Sequence, residues 1–316
     1  MTLSKRPLLC ITGTTGSGKN GVGIRLAELM QGEVLSLDSM KVYRRMDVGT
    51  AKPSTADLAR VKHHLIDILD PTERTDLSKF LAEADKVVSD RHQEDCPIIA
   101  VGGTAMYLTG LLFGVHDGPS RDDEFRAKLR IEREEIGLPA LHARLLVIDP
   151  KSGEKINPND YQRIERALEI FTQTGNPPSE QKANWFRDPR YNSKVYIVTW
   201  PRDVLRARIG SRIDKMFENG WVDEVASIDS SCGFSQEAIM ALGYREIKEH
   251  LAIGGKEGAL RERIKTKTWQ FARRQLTWMT RYPKAERIVC SEGDDVESIS
   301  KRIMAEFEPL WLASKP

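Results

Sequence analysis

Residues 13–20 follow the apolar run Leu8-Leu9-Cys10-Ile11 and read Gly13-Thr14-Thr15-Gly16-Ser17-Gly18-Lys19-Asn20. Gly13, Gly18 and Lys19 fit the phosphate-binding pattern G-x-x-x-x-G-K-[ST]. In such a loop the backbone N–H groups and the start of the next helix attract an anion. Asn20 stands where a Ser or Thr hydroxyl normally holds Mg²⁺, although an amide oxygen can also bind a hard cation. The segment predicts a phosphate site formed by residues 13–20 and leaves the metal open. A glycine-rich turn without a ligand is the alternative.

The first third of the chain alternates between strand and helix patterns. Short apolar runs predict strands over 8–12, 34–37, 64–68 and 98–101, and helical periodicity covers 18–30 and 77–92. This order predicts an α/β fold, a P-loop NTPase-like parallel sheet flanked by helices. Ligands bind beyond the carboxyl ends of such strands. The glycine-rich loop, Asp38 and Thr104 should therefore share one edge of the sheet.

The middle of the chain has a different character. From Arg121 to Gly175 it is charged and helical, with helices expected over 122–137, 138–147 and 159–174. A strand over 194–200 then returns the chain to the sheet, and helices are expected over 202–219, 221–227, 236–251 and 256–281. We therefore divide the chain into a core, residues 1–118 and 192–316, and a helical insertion, residues 119–191.

Composition narrows the functional class. The chain has 316 residues, of which 40% are hydrophobic and 30% charged, and no apolar run is long enough to predict a membrane span. Four scattered cysteines without a C-x-x-C pair argue against a zinc site and for a reducing, cytoplasmic compartment. Residues 256–287 hold ten Lys/Arg against three Glu, a charge of +7, so the other residues sum to −5 against the total of +2. This basic segment indicates a polyanionic partner or, alternatively, a solvated helix face.

Several polar residues are candidates for chemistry. Asp38 at a strand end suits a general base or metal ligand, or else caps the next turn. Thr104 follows two glycines, which suits either ligand contact or a tight turn. Arg208 and Arg212 are four residues apart on one predicted helix and could reach one ligand or form surface ion pairs.

The run Arg273-Arg274-Gln275-Leu276-Thr277-Trp278 mixes basic and aromatic residues. Such a mixture suits phosphate contact beside base stacking. Trp278 could equally belong to the core.

Taken together, these segments resemble the tRNA dimethylallyltransferases, also called tRNA isopentenyltransferases. The resemblance runs in family order over nearly the whole chain and rests on residues 13–19, 37–43, 47–53, 63–67, 101–107, 157–160, 163–168, 243–246 and 273–278. The segments Asp47–Pro53 and Arg274–Trp278 are its most specific parts.

The resemblance implies a prenyl transfer in which the loop holds the diphosphate of dimethylallyl diphosphate. Mg²⁺ assists, and the group moves to the exocyclic N6 amine of the adenosine next to the anticodon, flipped into a channel. Asp38 would accept the amine proton, Arg212 would bind the diphosphate, and Thr104 would lie at the reacting groups. Residues 13–20 would form the diphosphate site, with Asn20 as the position for Mg²⁺.

The resemblance also implies a monomer that binds a tRNA anticodon stem-loop, gripped in part by the insertion. The residues that would contact the tRNA are Asp38, Ser39, Met40, Lys41, Thr104, Arg126, Gln162, Arg163, Ile164, Glu165, Arg166, Met240, Gly243, Tyr244, Arg245, Arg273, Arg274, Gln275, Thr277 and Trp278.

The chain departs from the family pattern at a few positions. Asn20 replaces a Thr, Lys41 a frequent Gln, and Met240 and Trp269 frequent arginines. Other hypotheses therefore stay open: an adenylate isopentenyltransferase acting on free nucleotide, a P-loop kinase, or a catalytically silent tRNA-binding paralogue. The insertion and the basic segment favour tRNA over a free nucleotide.

Overall fold

The computed structural model describes residues 3, 6–114, 118–180, 189–282 and 284–315. Within these residues the strands are β1 Leu8–Gly13, β2 Glu33–Ser36, β3 His63–His64, β4 Ile98–Gly102, β5 Ser193–Thr199 and β6 Glu286–Val289. They form one parallel sheet in the order β3-β2-β4-β1-β5-β6. The predicted α/β class with a parallel sheet is confirmed.

The helices are α1 Lys19–Met30, α2 Thr55–Arg60, α3 Leu77–Gln93, α4 Ala105–Phe113, α5 Asp123–Ile136, α6 Leu138–Ile148, α7 Pro150–Lys155, α8 Tyr161–Thr174, α9 Arg202–Glu218, α10 Trp221–Ser231, α11 Tyr244–Ile253, α12 Glu257–Met279 and α13 Val296–Ala313. Among the described residues, no helix is both long enough and apolar enough to cross a bilayer.

Both faces of the sheet are covered, as its continuous apolar strands require. Along β1, Leu8 and Cys10 point into one core, whereas Leu9 and Ile11 point into another. The first core packs against helices that include α3, α4, α9 and α12, and the second against α1 and α13. Strand alternation therefore fixes which helices lie on each side.

The chain divides into two compact units. One comprises Met1–Gly114 and Phe186–Pro316, and the other Val115–Trp185. The smaller unit has a core of its own, formed by Leu129, Leu141, Leu145, Ile164, Ala167 and Leu168.

Some predicted elements were wrong in extent. The expected strand over 64–68 is reduced to His63–His64, and the expected helix over 236–251 is a 3₁₀ turn, Ala238–Met240, followed by α11. Gly243 interrupts it with φ 91°, in a position where a Cβ would lie 2.1 Å from the Trp221 ring. Elements α2, α4, α7, β6 and α13 were not predicted. Strand β6 is a four-residue, charged edge strand, helices α2, α4 and α7 are short, and helix α13 contains Pro309.

Candidate active site

The glycine-rich loop leads from β1 directly into α1. Gly18 precedes the helix with φ 88°, and the Lys19 amide approaches Ser17 Oγ at 3.4 Å. Two side chains hold the loop from outside: Trp200 Nε1 donates to Ser17 O at 2.9 Å, and Arg208 Nε donates to Gly16 O at 3.0 Å. The Arg208 guanidinium also lies 4.4 Å from the Trp200 ring centre. Arg208 therefore supports the loop, in place of the surface ion pair that was its alternative.

Asp38 and Thr104 follow β2 and β4, which are neighbours in the sheet. Asp38 Oδ1 accepts a hydrogen bond from the Met40 amide at 3.0 Å, and Thr104 Oγ1 accepts one from the Ser39 amide at 3.2 Å. Asp38 thus braces its own turn and also lines a cavity with Thr104. The structural alternative and the catalytic one are compatible, since one carboxylate has two oxygens.

Gln275 joins the glycine-rich loop to the end of β4. Its Oε1 accepts from the Thr15 amide at 2.8 Å, and its Nε2 donates to Gly103 O at 2.8 Å. A Cβ at Gly103 would lie 2.6 Å from that nitrogen, so only glycine permits this approach. Gln275 was expected to contact tRNA, but the side chain is buried and its amide is engaged within the protein. It therefore positions the site.

Three cations surround Asp38. Lys19, Lys41 and Arg212 line the same cavity as Asp38. Burial lowers the pKa of Lys19 to about 7, assisted by Arg212 and opposed by Asp38. Burial also lowers the pKa of Lys41 to about 8 and lowers the pKa of Arg212, because desolvation disfavours the charged form. Since these cations outnumber the carboxylate, a multiply charged anion would balance the site.

Two cavities border α9. The first, about 450 Å³, is lined by Thr15, Lys19, Asn20, Asp38 and Thr104 and has an apolar wall formed by Ile209, Ile213, Met216, Trp221, Leu242 and Phe271. The second, about 990 Å³, is lined by loop residues such as Gly16 and by polar residues that include Lys52, Arg208 and Lys215. Arg212 and Met216 line both cavities and form part of the partition between them.

Expected tRNA contacts from three parts of the chain border the first cavity. Ser39, Met40 and Lys41 line it after β2, Met240 and Arg245 line it before and within α11, and Arg274 lines it from α12. Met240, Arg245 and Arg274 are exposed. The structure therefore brings together residues that are more than 200 positions apart.

The remaining expected contacts on these helices divide by exposure. Arg273, Thr277 and Trp278 are exposed, and the Arg281 guanidinium lies 4.9 Å from the Trp278 ring centre. The core alternative for Trp278 is therefore wrong. Gly243 and Tyr244 are buried, and Tyr244 Oη donates to Glu224 Oε1 at 2.6 Å. Both residues therefore lie below the protein surface, and their contact with tRNA stays a prediction.

The expected contacts in the helical unit are mostly occupied within it. Glu169 is fully buried and accepts from Arg126 Nε at 2.8 Å, Arg166 Nη1 at 2.5 Å and the Asp122 amide at 2.8 Å. Burial favours a raised pKa for Glu169, but these hydrogen bonds outweigh it and lower the pKa to about 2. Arg126 and Arg166 therefore form ion pairs with Glu169 inside this unit.

Burial separates the other expected contacts of α8. Ile164 and Glu165 are buried, whereas Gln162 and Arg163 are exposed. Of these four residues, Gln162 and Arg163 are the ones at the surface, and contact with tRNA stays a prediction.

The sequence interpretation missed two kinds of residue. Ile209, Ile213 and Met216 of the apolar wall recur along α9 at spacings of four and three residues, a pattern that could have indicated one buried face. Glu224 gave no such signal. Its Oε2 accepts from the Asp47 and Val48 amides, both at 2.7 Å, and Oε1 accepts from the Gly49 amide at 3.2 Å. The three amides lie about 175 residues from Glu224 in the sequence. A local sequence pattern could therefore not reveal these contacts.

Comparison with known proteins gives a consistent result. Residues 41–282 match the IPP transferase family. The tRNA dimethylallyltransferase of Syntrophobacter fumaroxidans is 40% identical over 306 residues, which cover 96% of this chain and 89% of the relative.

Solved structures extend the similarity to the fold. The tRNA isopentenylpyrophosphate transferase of Bacillus halodurans is 32% identical, with a TM-score of 0.69 and coverage of 98% of this chain and 99% of that one. A eukaryotic dimethylallyltransferase, captured acting on tRNA, is 26% identical with a TM-score of 0.81, covering 98% of this chain and 80% of that one. The similarity spans both compact units.

Proposed function

Because the chain belongs to the IPP transferase family, we propose that it transfers a dimethylallyl group to tRNA. The donor is dimethylallyl diphosphate, and the acceptor is N6 of the adenosine on the 3′ side of the anticodon. This makes the protein a prenyl transferase. The expectation from sequence and the family match agree on a prenyl transfer to tRNA.

The observation that carries the proposal is the set of three cations at the glycine-rich loop. Lys19, Lys41 and Arg212 are desolvated together, which is unfavourable unless an anion joins them. The loop and the start of α1 supply backbone N–H groups to the same place. A diphosphate fits this charge, and its neutralisation makes it a better leaving group.

Asp38 supports the transfer step. The Met40 amide fixes one carboxylate oxygen, which orients the group on the cavity lining. As the N6 nitrogen bonds to C1 of the donor, the C1–O bond breaks, diphosphate leaves with the electron pair, and Asp38 takes the amine proton. A positioned base of this kind contributes roughly 10²–10⁴-fold to rate. Thr104 lines the same space and is held by Ser39.

The donor set suits Mg²⁺. Asn20 and Asp38 offer oxygen atoms on one cavity lining, and within the described residues no three His, Cys, Asp or Glu side chains converge on a metal position. Mg²⁺ is commonly held by one or two protein oxygens together with substrate phosphates and water. Asn20 would hold it here, and it would supply further neutralisation of the diphosphate charge.

The cavity mouth supports a macromolecular acceptor. Arg245 and Arg274 are exposed on its lining, and Arg273 and Trp278 continue along α12. Phosphates and unstacked bases are recognised by such combinations. We propose that these residues contact the anticodon stem-loop of tRNA. Gln162 and Arg163 of the helical unit are proposed tRNA contacts as well. We also propose a cytoplasmic monomer, in keeping with four unpaired cysteines.

The test compares two acceptors. Purified protein is incubated with Mg²⁺ and dimethylallyl diphosphate, either with an unmodified tRNA transcript or with AMP, and the nucleosides are analysed by mass spectrometry. We expect dimethylallyl-adenosine from tRNA and none from AMP. Product from AMP would instead indicate nucleotide prenylation. Retained tRNA binding without product in either reaction would favour the silent paralogue.

A further inference from the structure

The partition between the two cavities contains one apolar side chain whose position bears on the length of the donor. Met216 lies on α9 one turn beyond Arg212, and both side chains line both cavities. Met216 is 8% exposed and belongs to the core that covers this face of the sheet. Its neighbours divide cleanly: Ile209 and Ile213 line the first cavity, and Arg208, Ser211 and Lys215 line the second.

We propose that Met216 restricts the allylic donor to five carbons by closing the apolar wall of the first cavity toward the second. This inference rests on the proposed function. Arg212 binds the diphosphate end of the donor, and Met216 follows about 6 Å along the helix axis. A dimethylallyl tail ends within this distance. A ten-carbon tail overshoots it and meets the methionine side chain.

Met216 differs from the rest of the apolar wall because open space lies beyond it, whereas its neighbours in the wall are closely packed. Gly49 also lines the first cavity, and a Cβ there would lie 2.0 Å from Trp221 Nε1 and 2.5 Å from the Tyr244 ring, so this part of the lining is already closely packed. Trp221 and Tyr244 are almost fully buried. Met216, in contrast, has open space on its far side, since the second cavity has a volume of about 990 Å³. Shortening Met216 therefore joins two existing cavities.

The predicted consequence is a new donor specificity. In Met216→Ala, geranyl diphosphate should transfer its ten-carbon group to the same adenosine N6. The N6–C1 bond forms, the C1–O bond breaks, diphosphate leaves, and the proton goes to Asp38 as in the five-carbon reaction. The bond-forming and bond-breaking steps are unchanged because Met216 contacts the tail and not the reacting atoms.

The experiment measures kcat/KM for geranyl and dimethylallyl diphosphate, with tRNA as acceptor, in the wild type, Met216→Ala and Ile213→Ala. Ile213→Ala is the matched control because it enlarges the same apolar wall at a residue that, among the described lining residues, borders the first cavity alone. We expect the geranyl-to-dimethylallyl ratio to rise about tenfold or more in Met216→Ala and much less in Ile213→Ala. If the alanine variant fails to fold, Met216→Val takes its place, because valine shortens the side chain less. It should raise the ratio in the same direction.

An unchanged ratio in folded Met216 variants, or an equal rise in Ile213→Ala, would overturn the role of Met216. The wild-type reaction with dimethylallyl diphosphate distinguishes a failure of this inference from a failure of the proposed function. If the wild type transfers five carbons and the ratios do not move, the function stands and the specificity inference fails. If the wild type transfers nothing, both fail.

Discussion

Lys19 carries a charge that depends on whether the anion is present. Its pKa is lowered to about 7 by burial first and by Arg212 second, and that of Lys41 to about 8 mainly by burial. A bound diphosphate favours the charged forms and raises both pKa values. Affinity for dimethylallyl diphosphate should therefore be full below about pH 7 and fall as the pH rises toward the pKa values of the complex.

At pH 8 the protein should take up protons as it binds this ligand. Isothermal titration calorimetry in two buffers of different ionisation enthalpy counts them. Lys19→Arg keeps the charge without titrating, because arginine stays protonated, so its proton uptake should be smaller. A binding enthalpy that is the same in both buffers would contradict the coupling.

At the scale of elements, α10 holds the loop over 47–49 through one carboxylate. The Glu224 carboxylate accepts hydrogen bonds from three backbone amides of that loop, and Gly49 of the loop lines the first cavity. Glu224→Gln replaces one acceptor oxygen by an NH₂ group that faces N–H donors. We expect a loss of roughly 2–3 kcal/mol in unfolding free energy and a lower kcat/KM for transfer. Asp223→Asn, at an exposed residue of the same turn, is the control for urea unfolding and activity, and an equal loss there would contradict this role of Glu224.

The helical unit depends on the Glu169 cluster. The folded pKa of Glu169 is about 2 against 4.5 for the free group, so its stabilisation is present above pH 4.5 and is lost as the pH falls toward 2. Glu169→Gln should cost about 3 kcal/mol at pH 7. Hydrogen exchange of α5 and α8 amides measures this locally. The difference from wild type should shrink on acidification, and Glu154→Gln, exposed in the same unit, should change little. A difference that is independent of pH would argue against the cluster.

Across the whole molecule, the basic segment of residues 256–287 should govern tRNA affinity. Arg274 is exposed at the cavity mouth, whereas Arg261 of the same helix is engaged with Glu257 at 2.5 Å. Arg274→Ala should weaken tRNA binding and reduce the slope of log affinity against log salt by about 0.7–0.9. Arg261→Ala should leave the slope near the wild-type value. Filter binding over a salt series distinguishes them, and equal slopes in all three proteins would remove Arg274 from the interface.

The sequence predicted the parts of this molecule that depend on local patterns. The parallel sheet follows from alternating apolar strands and helices, and Asp38 and Thr104 share an edge because β2 and β4 are neighbours. Burial could not be read from motifs: Gln275 and Tyr244 lie within matching segments but point inward. Glu224 and the double role of Met216 arise from contacts between distant segments, which a single sequence does not encode locally.

We propose that Asp38 acts as the base of a prenyl transfer beside a cationic diphosphate site. The most direct measurement is a single-turnover reaction of wild type and Asp38→Asn with dimethylallyl diphosphate and unmodified tRNA, read by nucleoside mass spectrometry. We predict that the wild type adds one dimethylallyl group to one adenosine, and that Asp38→Asn does so roughly 10²–10⁴-fold more slowly while still binding tRNA. An Asp38→Asn rate equal to that of the wild type would rule out Asp38 as the base.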